Sequence, residues 1–178
     1  MSTLSTSPQT SQIPVPSPLK ADAVFAGGGI RGIGHVGALM VAEQLGYQWV
    51  NIAGTSAGAM IAALLAAGYS ATELYTIMSE LDYTRFTDGS HSNYLSLQDI
   101  HMLLEQGGIH SGKYLEAFMR EKLQAKGIEK FGDLIIKGQE DDVRFRYRLT
   151  VIATDITTGQ LLRLPHDAHI YGFDPDQV

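Results

Sequence analysis

The order of motifs predicts an α/β protein, a three-layer α/β/α domain with a mostly parallel central sheet. Two observations carry this. A short apolar segment, a glycine turn and a helical segment follow one another twice between residues 22 and 67, and strands that alternate with helices pair in parallel under a helical cover. Further on, residues 145–153 and 160–164 read as two more strands joined by a turn, after several helical segments.

Taken in order, residues 22–26 (DAVFA) form a short apolar run bounded by Gly27, Gly28 and Gly29, as expected of a buried strand. Residues 32–45 read as a helix, with Ile33, Val36, Met40, Val41 and Leu45 near helical spacing, and Gly46 is placed to end it. Residues 49–53 form the second strand. Residues 57–67, closed by Gly68, form a second helix whose small apolar residues predict burial. Ser70-Ala71-Thr72-Glu73 matches a capping box that opens a helix to about Leu81. Ser96 can cap another to about Gln106, and a further helix starts at Ser111 or Gly112 and runs to about Ala125. Residues 86–94 are polar and turn-rich, and read as a surface loop or the rim of a site. Residues 145–153 are expected to form one long strand, with a turn at residues 157–159 and a return strand at 160–164.

Composition narrows the function. The 178 residues suffice for one domain with a sizeable core. A formal net charge of −6 argues against a nucleic-acid partner. The absence of cysteine removes disulfides, thiolate chemistry and zinc–thiolate sites. Residues 1–20 are rich in Ser, Thr, Gln and Pro, without a signal-peptide pattern, and are expected to be a disordered leader to a domain at 21–178. No apolar run is long enough for a transmembrane helix, so a cytoplasmic protein, at most peripheral to a membrane, is expected.

Two turns carry chemistry. Gly54-Thr55-Ser56-Ala57-Gly58 fits the G-x-S-x-G nucleophile elbow, after an apolar strand and before a helix. A serine on so sharp a turn crowds the backbone around it, so small residues are needed at Gly54 and Gly58. The following helix points its positive end at the serine, where an anion would develop. The alternative is a tight turn whose serine caps the helix. Gly27-Gly28-Gly29-Ile30-Arg31-Gly32 also matches the dinucleotide-binding fingerprint G-x-G-x-x-G. That reading, a nucleotide-binding oxidoreductase, expects an acidic residue at the end of the next strand; the serine turn stands there, and Glu43 lies inside the first helix. The glycines can instead aim N–H groups at an oxyanion, or merely permit close helix–strand packing.

The pair GGGIRG and GTSAG, one strand apart, resembles the patatin-like phospholipases, which combine G-G-G-x-[KR]-G with G-x-S-x-G. Residues 153–159 (ATDITTG) are similar to that family's T-D-x-x-T-G strand end. The resemblance runs from about Ala21 to Leu164. It implies a serine lipid-acyl hydrolase acting on a phospholipid or acylglycerol ester, with neither metal nor organic cofactor. Ser56 would be the nucleophile and Gly28 and Gly29 the oxyanion amides. Gly27 and Gly32 would shape the loop, and Arg31 would sit by the oxyanion or a lipid phosphate. The family's base is an aspartate in an Asp-Gly-Gly or Asp-Gly-Ala turn after the T-D-x-x-T-G strand, and no such turn follows Gly159. Asp88-Gly89 precedes the expected place, Asp155 reads as structural, and His35, His166 and His169 remain as other bases. The expectation is a chain truncated before its aspartate, or an inactive relative that keeps the fold.

Overall fold

The computed structural model describes residues 19–81 and 109–178. It shows an α/β fold with a four-stranded mixed sheet in the order β1-β2-β3-β4. The strands are β1 (Leu19–Phe25), β2 (Tyr47–Thr55), β3 (Leu149–Asp155) and β4 (Gln160–Leu164). β1, β2 and β3 are mutually parallel, and β4 returns antiparallel to β3. The helices are α1 (Ile33–Gln44), α2 (Ala57–Ala66), α3 (Ala71–Glu80) and α4 (Ile109–Ala125). The leader's residues 1–18, the expected loop at 86–94 and the expected helix from Ser96 lie outside the described residues. β1 starts at Leu19, two residues inside the expected leader.

The parallel register between β1 and β2 breaks at Asp22. Its carboxylate leaves the ladder's pattern to accept both the backbone N–H (3.2 Å) and the side-chain amide (2.8 Å) of Asn51. On the face that alternation assigns to Ala23 and Phe25, the helices gather over one core. Ile52, Ile61, Leu64, Leu74 and Val36 are its largest fully buried side chains. α2 is enclosed almost all round, from Ile61 to Ala66, because it packs on β1, β2 and β3 and under α3 and α4. Its run of Ala and Leu suits a helix with no solvent face. Val24, on the other face of β1, is 81% exposed.

α3 begins as the sequence predicts. Ser70 Oγ accepts the Glu73 N–H while Glu73 accepts the Ser70 N–H at 2.7 Å, a reciprocal capping box. Lys126, just past α4, pairs with the same Glu73 at 3.0 Å, and Glu43 of α1 accepts the Ala71 N–H at 3.0 Å. One glutamate on each side therefore fixes where α3 starts.

The long strand expected over residues 145–153 is corrected to β3, which starts at Leu149. Residues 145–147 bond elsewhere, while Arg148 O already accepts the Ile52 N–H of β2 at 2.8 Å. Asp142 accepts the N–H groups of Arg144 (2.8 Å) and Phe145 (3.2 Å), bending the chain. Ile136 N–H then donates to Arg146 O, and Arg148 N–H to Leu134 O, with Tyr147 bridged to Ile135. The alternation seen in the sequence is real, but it serves this side pairing before the chain enters the main sheet.

Candidate active site

Ser56 stands alone between the last residue of β2 and the first of α2, with φ 52° and ψ −130°. Among the described residues no other non-glycine residue has a positive φ. Such a conformation costs on the order of 1–3 kcal/mol. The packing on both sides enforces it. A Cβ on Gly54 would lie 2.4 Å from Gly58 O, and one on Gly58 would lie 2.4 Å from Phe25 O and 2.6 Å from Ala26 O. The turn thus closes against itself and against the end of β1. Thr55 Oγ1 adds a 3.4 Å bond to Ile152 O, tying the turn to β3.

The hydroxyl of Ser56 makes no capping bond to α2, and the residue is exposed. This removes the alternative in which the serine serves only as a helix cap. Replacing Ser56 by glycine relaxes the turn, whereas alanine keeps the strain. Ser56→Gly is therefore expected to be more stable than Ser56→Ala by about 1 kcal/mol, after the entropy glycine loses on folding. Thermal melts of the two variants should differ by roughly 2–4 °C in that direction.

The glycine loop lies directly against the elbow. A Cβ on Gly27 would come within 3.0 Å of Ser56 Cβ and 3.7 Å of its Oγ. One on Gly32 would come within 3.3 Å of Ala57 Cβ. Gly27 and Gly32 therefore set how closely the loop approaches. Gly28 and Gly29 border open space: a Cβ on Gly29 meets nothing within 4 Å, and one on Gly28 meets only Arg31 Cβ. Residues 29–32 form a single 3-10 turn, closed by Arg31 N–H donating to Gly28 O at 3.2 Å. Arg31 is exposed at the head of α1. The end of β2, where a dinucleotide site would need a carboxylate, is occupied by Gly54, Thr55 and Ser56.

Of the candidate bases, none described lies within hydrogen-bonding distance of Ser56 Oγ. His35 Nε2 donates to Ala26 O at 3.0 Å and its ring meets Phe25 edge-on at 5.5 Å, so it holds the entry of the glycine loop. His166 packs edge-on against Tyr147, and His169 bonds His166 O. Both line a cavity of about 690 Å³ with Arg144, Arg163 and Asp167, a cavity that does not include Ser56. Asp88 lies outside the described residues.

Asp155 at the end of β3 is fully engaged. Its Oδ1 accepts the N–H groups of Thr157 (2.8 Å) and Thr158 (3.3 Å). Its Oδ2 accepts the hydroxyls of Thr158 (2.8 Å) and Tyr171 (2.5 Å). These donors, Tyr171 first, hold its carboxyl down at about 2, which leaves a poor proton acceptor. Tyr171, which ties the last 3-10 turns to the sheet, was not foreseen from the sequence. Because the folded pKa lies below the ordinary aspartate value of 3.8, the carboxylate stabilises the fold above about pH 4, and this contribution is lost as pH falls toward 2. Asp155→Asn is expected to flatten the acid limb of a stability–pH profile over that interval, measured by urea unfolding.

A strained serine on a strand-to-helix turn, abutted by a glycine-rich turn from the neighbouring parallel strand, places the chain among α/β proteins with a sharp strand–serine–helix turn. The patatin-like phospholipase family matches residues 23–169, and the chain belongs to that family. It is 38% identical over 157 residues to the uncharacterized protein YqhO of Bacillus subtilis (strain 168), covering 87% of this chain and 50% of YqhO. The chain thus spans about half the length of this curated relative. The fold is also that of ExoU from the type III secretion system of Pseudomonas aeruginosa, solved in complex with SpcU. There the TM-score is 0.52 at 21% identity, over 82% of this chain and 35% of ExoU. VipD from Legionella pneumophila aligns at a TM-score of 0.49 and 18% identity, over 88% of this chain and 40% of VipD. Among the described residues no helix is long and apolar enough to cross a membrane.

Proposed function

We propose that this chain carries the nucleophile half of a serine lipid-acyl hydrolase, cleaving a carboxylic ester of a phospholipid or acylglycerol. The observation that carries the reading is the strained, uncapped Ser56 pressed against the Gly27–Gly32 loop. In this reading Ser56 Oγ attacks the acyl carbonyl and its proton passes to a base. The N–H groups of Gly28 and Gly29 hold the oxyanion, aided by the N-terminus of α2. The alcohol portion leaves as the acyl-enzyme forms, and water then releases the fatty acid. Arg31, exposed beside the loop, meets the phosphate of a phospholipid.

The base is proposed to be an aspartate supplied by sequence after Val178, completing a Ser–Asp dyad. Two facts support this: no described base reaches Ser56 Oγ, and the relative YqhO is about twice as long as the matched region. The first of these facts equally favours a second reading, a member of the family that keeps the fold without turnover.

Hydrolysis of a short-chain nitrophenyl ester separates the two. The 178-residue chain is expected to be nearly inactive. A chain extended by downstream coding sequence that contains an Asp-Gly-Gly or Asp-Gly-Ala turn is expected to be active. An extended chain without activity would favour the non-catalytic reading. Robust turnover by the 178 residues alone would place the base within them.

A further inference from the structure

A cleft of about 450 Å³ lies at the other end of β2 from Ser56, a volume usual for a small-ligand site. Trp49 stands near the start of the strand and Thr55 at its end, so roughly 20 Å separates the cleft from the serine. Its apolar lining comes from Ala66 at the end of α2 and from Ile128, Leu134 and Ile136. Its polar lining includes Trp49 and, just ahead of β3, Arg148.

Arg148 breaks the pattern set by the other arginines. Arg120, Arg146 and Arg163 pair with Glu116, Asp176 and Asp167, and Arg31 and Arg144 are exposed to water. Arg148 is half-buried, and no carboxylate among the described residues pairs with it. Its side chain donates only to Trp49 O, at a long 3.4 Å. Its Nε is buried without an acceptor, and so is the indole Nε1 of Trp49. Burial holds the guanidinium below the usual arginine pKa, with no anion opposing the shift. A charge withdrawn from water in this way is costly unless it is matched. Asp133, the one carboxylate on the cleft, is committed to the N–H groups of Glu129 (2.9 Å) and Lys130 (3.1 Å). Residues 1–18, which lead into β1, contain no Asp or Glu.

The charge count selects the ligand. Lys20 and Lys137, the other cations on the cleft, are exposed and keep their hydration, so the charge to be matched at depth is one. A carboxylate brings one negative charge and the two coplanar oxygens that a guanidinium edge engages. A phosphate monoester brings nearly two. The apolar lining beside Arg148 accommodates a hydrocarbon body.

We propose that this cleft binds an organic carboxylate with an apolar chain, its head on Arg148 and Trp49 and its chain along Ala66, Ile128, Leu134 and Ile136. A fatty acid meets that description. It is also what the hydrolysis proposed above would release, but the cleft stands apart from Ser56 and does not rest on that reading.

Trp49 is the chain's single tryptophan, so its emission reports on the cleft directly. Titration of the full chain with decanoate, below micelle-forming concentrations, is expected to shift that emission to saturation, with calorimetry giving the same Kd. Decanol, equal in chain length but uncharged, should bind at least about tenfold more weakly, and decyl phosphate should bind no better than decanoate. Arg148→Met should lose about tenfold in decanoate affinity and keep its affinity for decanol. Without ligand that variant should melt no lower than wild type, because an unmatched buried charge has gone. Lys137→Gln, which removes an exposed charge, should cost less than about twofold.

An absent or unsaturable response in wild type overturns the proposal, as does equal affinity for decanol, tighter binding of decyl phosphate, or unaltered decanoate binding by Arg148→Met. If Arg148→Met melts well below wild type, the guanidinium serves the fold through Trp49 O, and the proposal falls as well. None of these measurements involves turnover. An extended chain without esterase activity would therefore count against the hydrolase reading and leave the carboxylate site standing.

Discussion

Ser56→Ala is expected to abolish ester hydrolysis by the extended protein, lowering kcat by roughly ten thousand-fold or more while leaving the fold intact. The size follows from what is lost. Alanine at this turn keeps the backbone, the glycine loop and the α2 N-terminus, so residual oxyanion stabilisation survives. The covalent route does not. Because the serine hydroxyl makes no capping bond to α2, its removal leaves no orphaned donor in the helix, and thermal stability should change little. A reactive fluorophosphonate should label wild-type protein and leave the variant untouched. Retention of even a tenth of the activity in Ser56→Ala would rule out this serine as nucleophile.

The second large effect is structural. Gly58→Ala places a Cβ 2.4 Å from the carbonyl oxygen of Phe25 and 2.6 Å from that of Ala26. Both obstacles are backbone, so no side chain can rotate away, and α2 would have to lift from β1. That motion would open a core containing Ile61 and Leu64, at a cost expected to exceed about 4 kcal/mol, a large share of a typical domain's stability. The variant should be insoluble or melt near room temperature. Gly37→Ala supplies the contrast. It lies mid-helix in open space, and alanine there should stabilise by about 0.5–1 kcal/mol through helix propensity. Circular dichroism melts of both variants check the pair; equal melting temperatures would mean that the Phe25 and Ala26 carbonyls do not constrain position 58.

The parts of this fold that read directly from the sequence are those with local causes. The elbow follows from five adjacent residues, the α3 start from Ser70 and Glu73, and β4 from the turn at Thr158 and Gly159. The family resemblance, carried by the two glycine turns together, is upheld by the match over residues 23–169. What escaped has distant causes. Phe145, Tyr147 and Leu149 alternate as strand residues do, but the chain leaves Asp142 bent and pairs Tyr147 with Ile135 before entering the sheet. The partner of Asp155 was equally hidden, because Tyr171 reaches it only after β4 has turned back. The outer face of α1 was visible as an apolar run, yet which of its residues meet the core depends on where α3 packs, a long-range fact.

The conformation of Ser56 has a consequence for the history of this chain. At a position with φ 52°, glycine is the residue that backbone sterics prefer. A lineage released from the need for a hydroxyl would drift toward glycine there, gaining stability with each such change. Serine at this position therefore stands against a thermodynamic gradient that favours glycine. The identity of that single residue in descendants of this chain is a record of whether its chemistry is still in use.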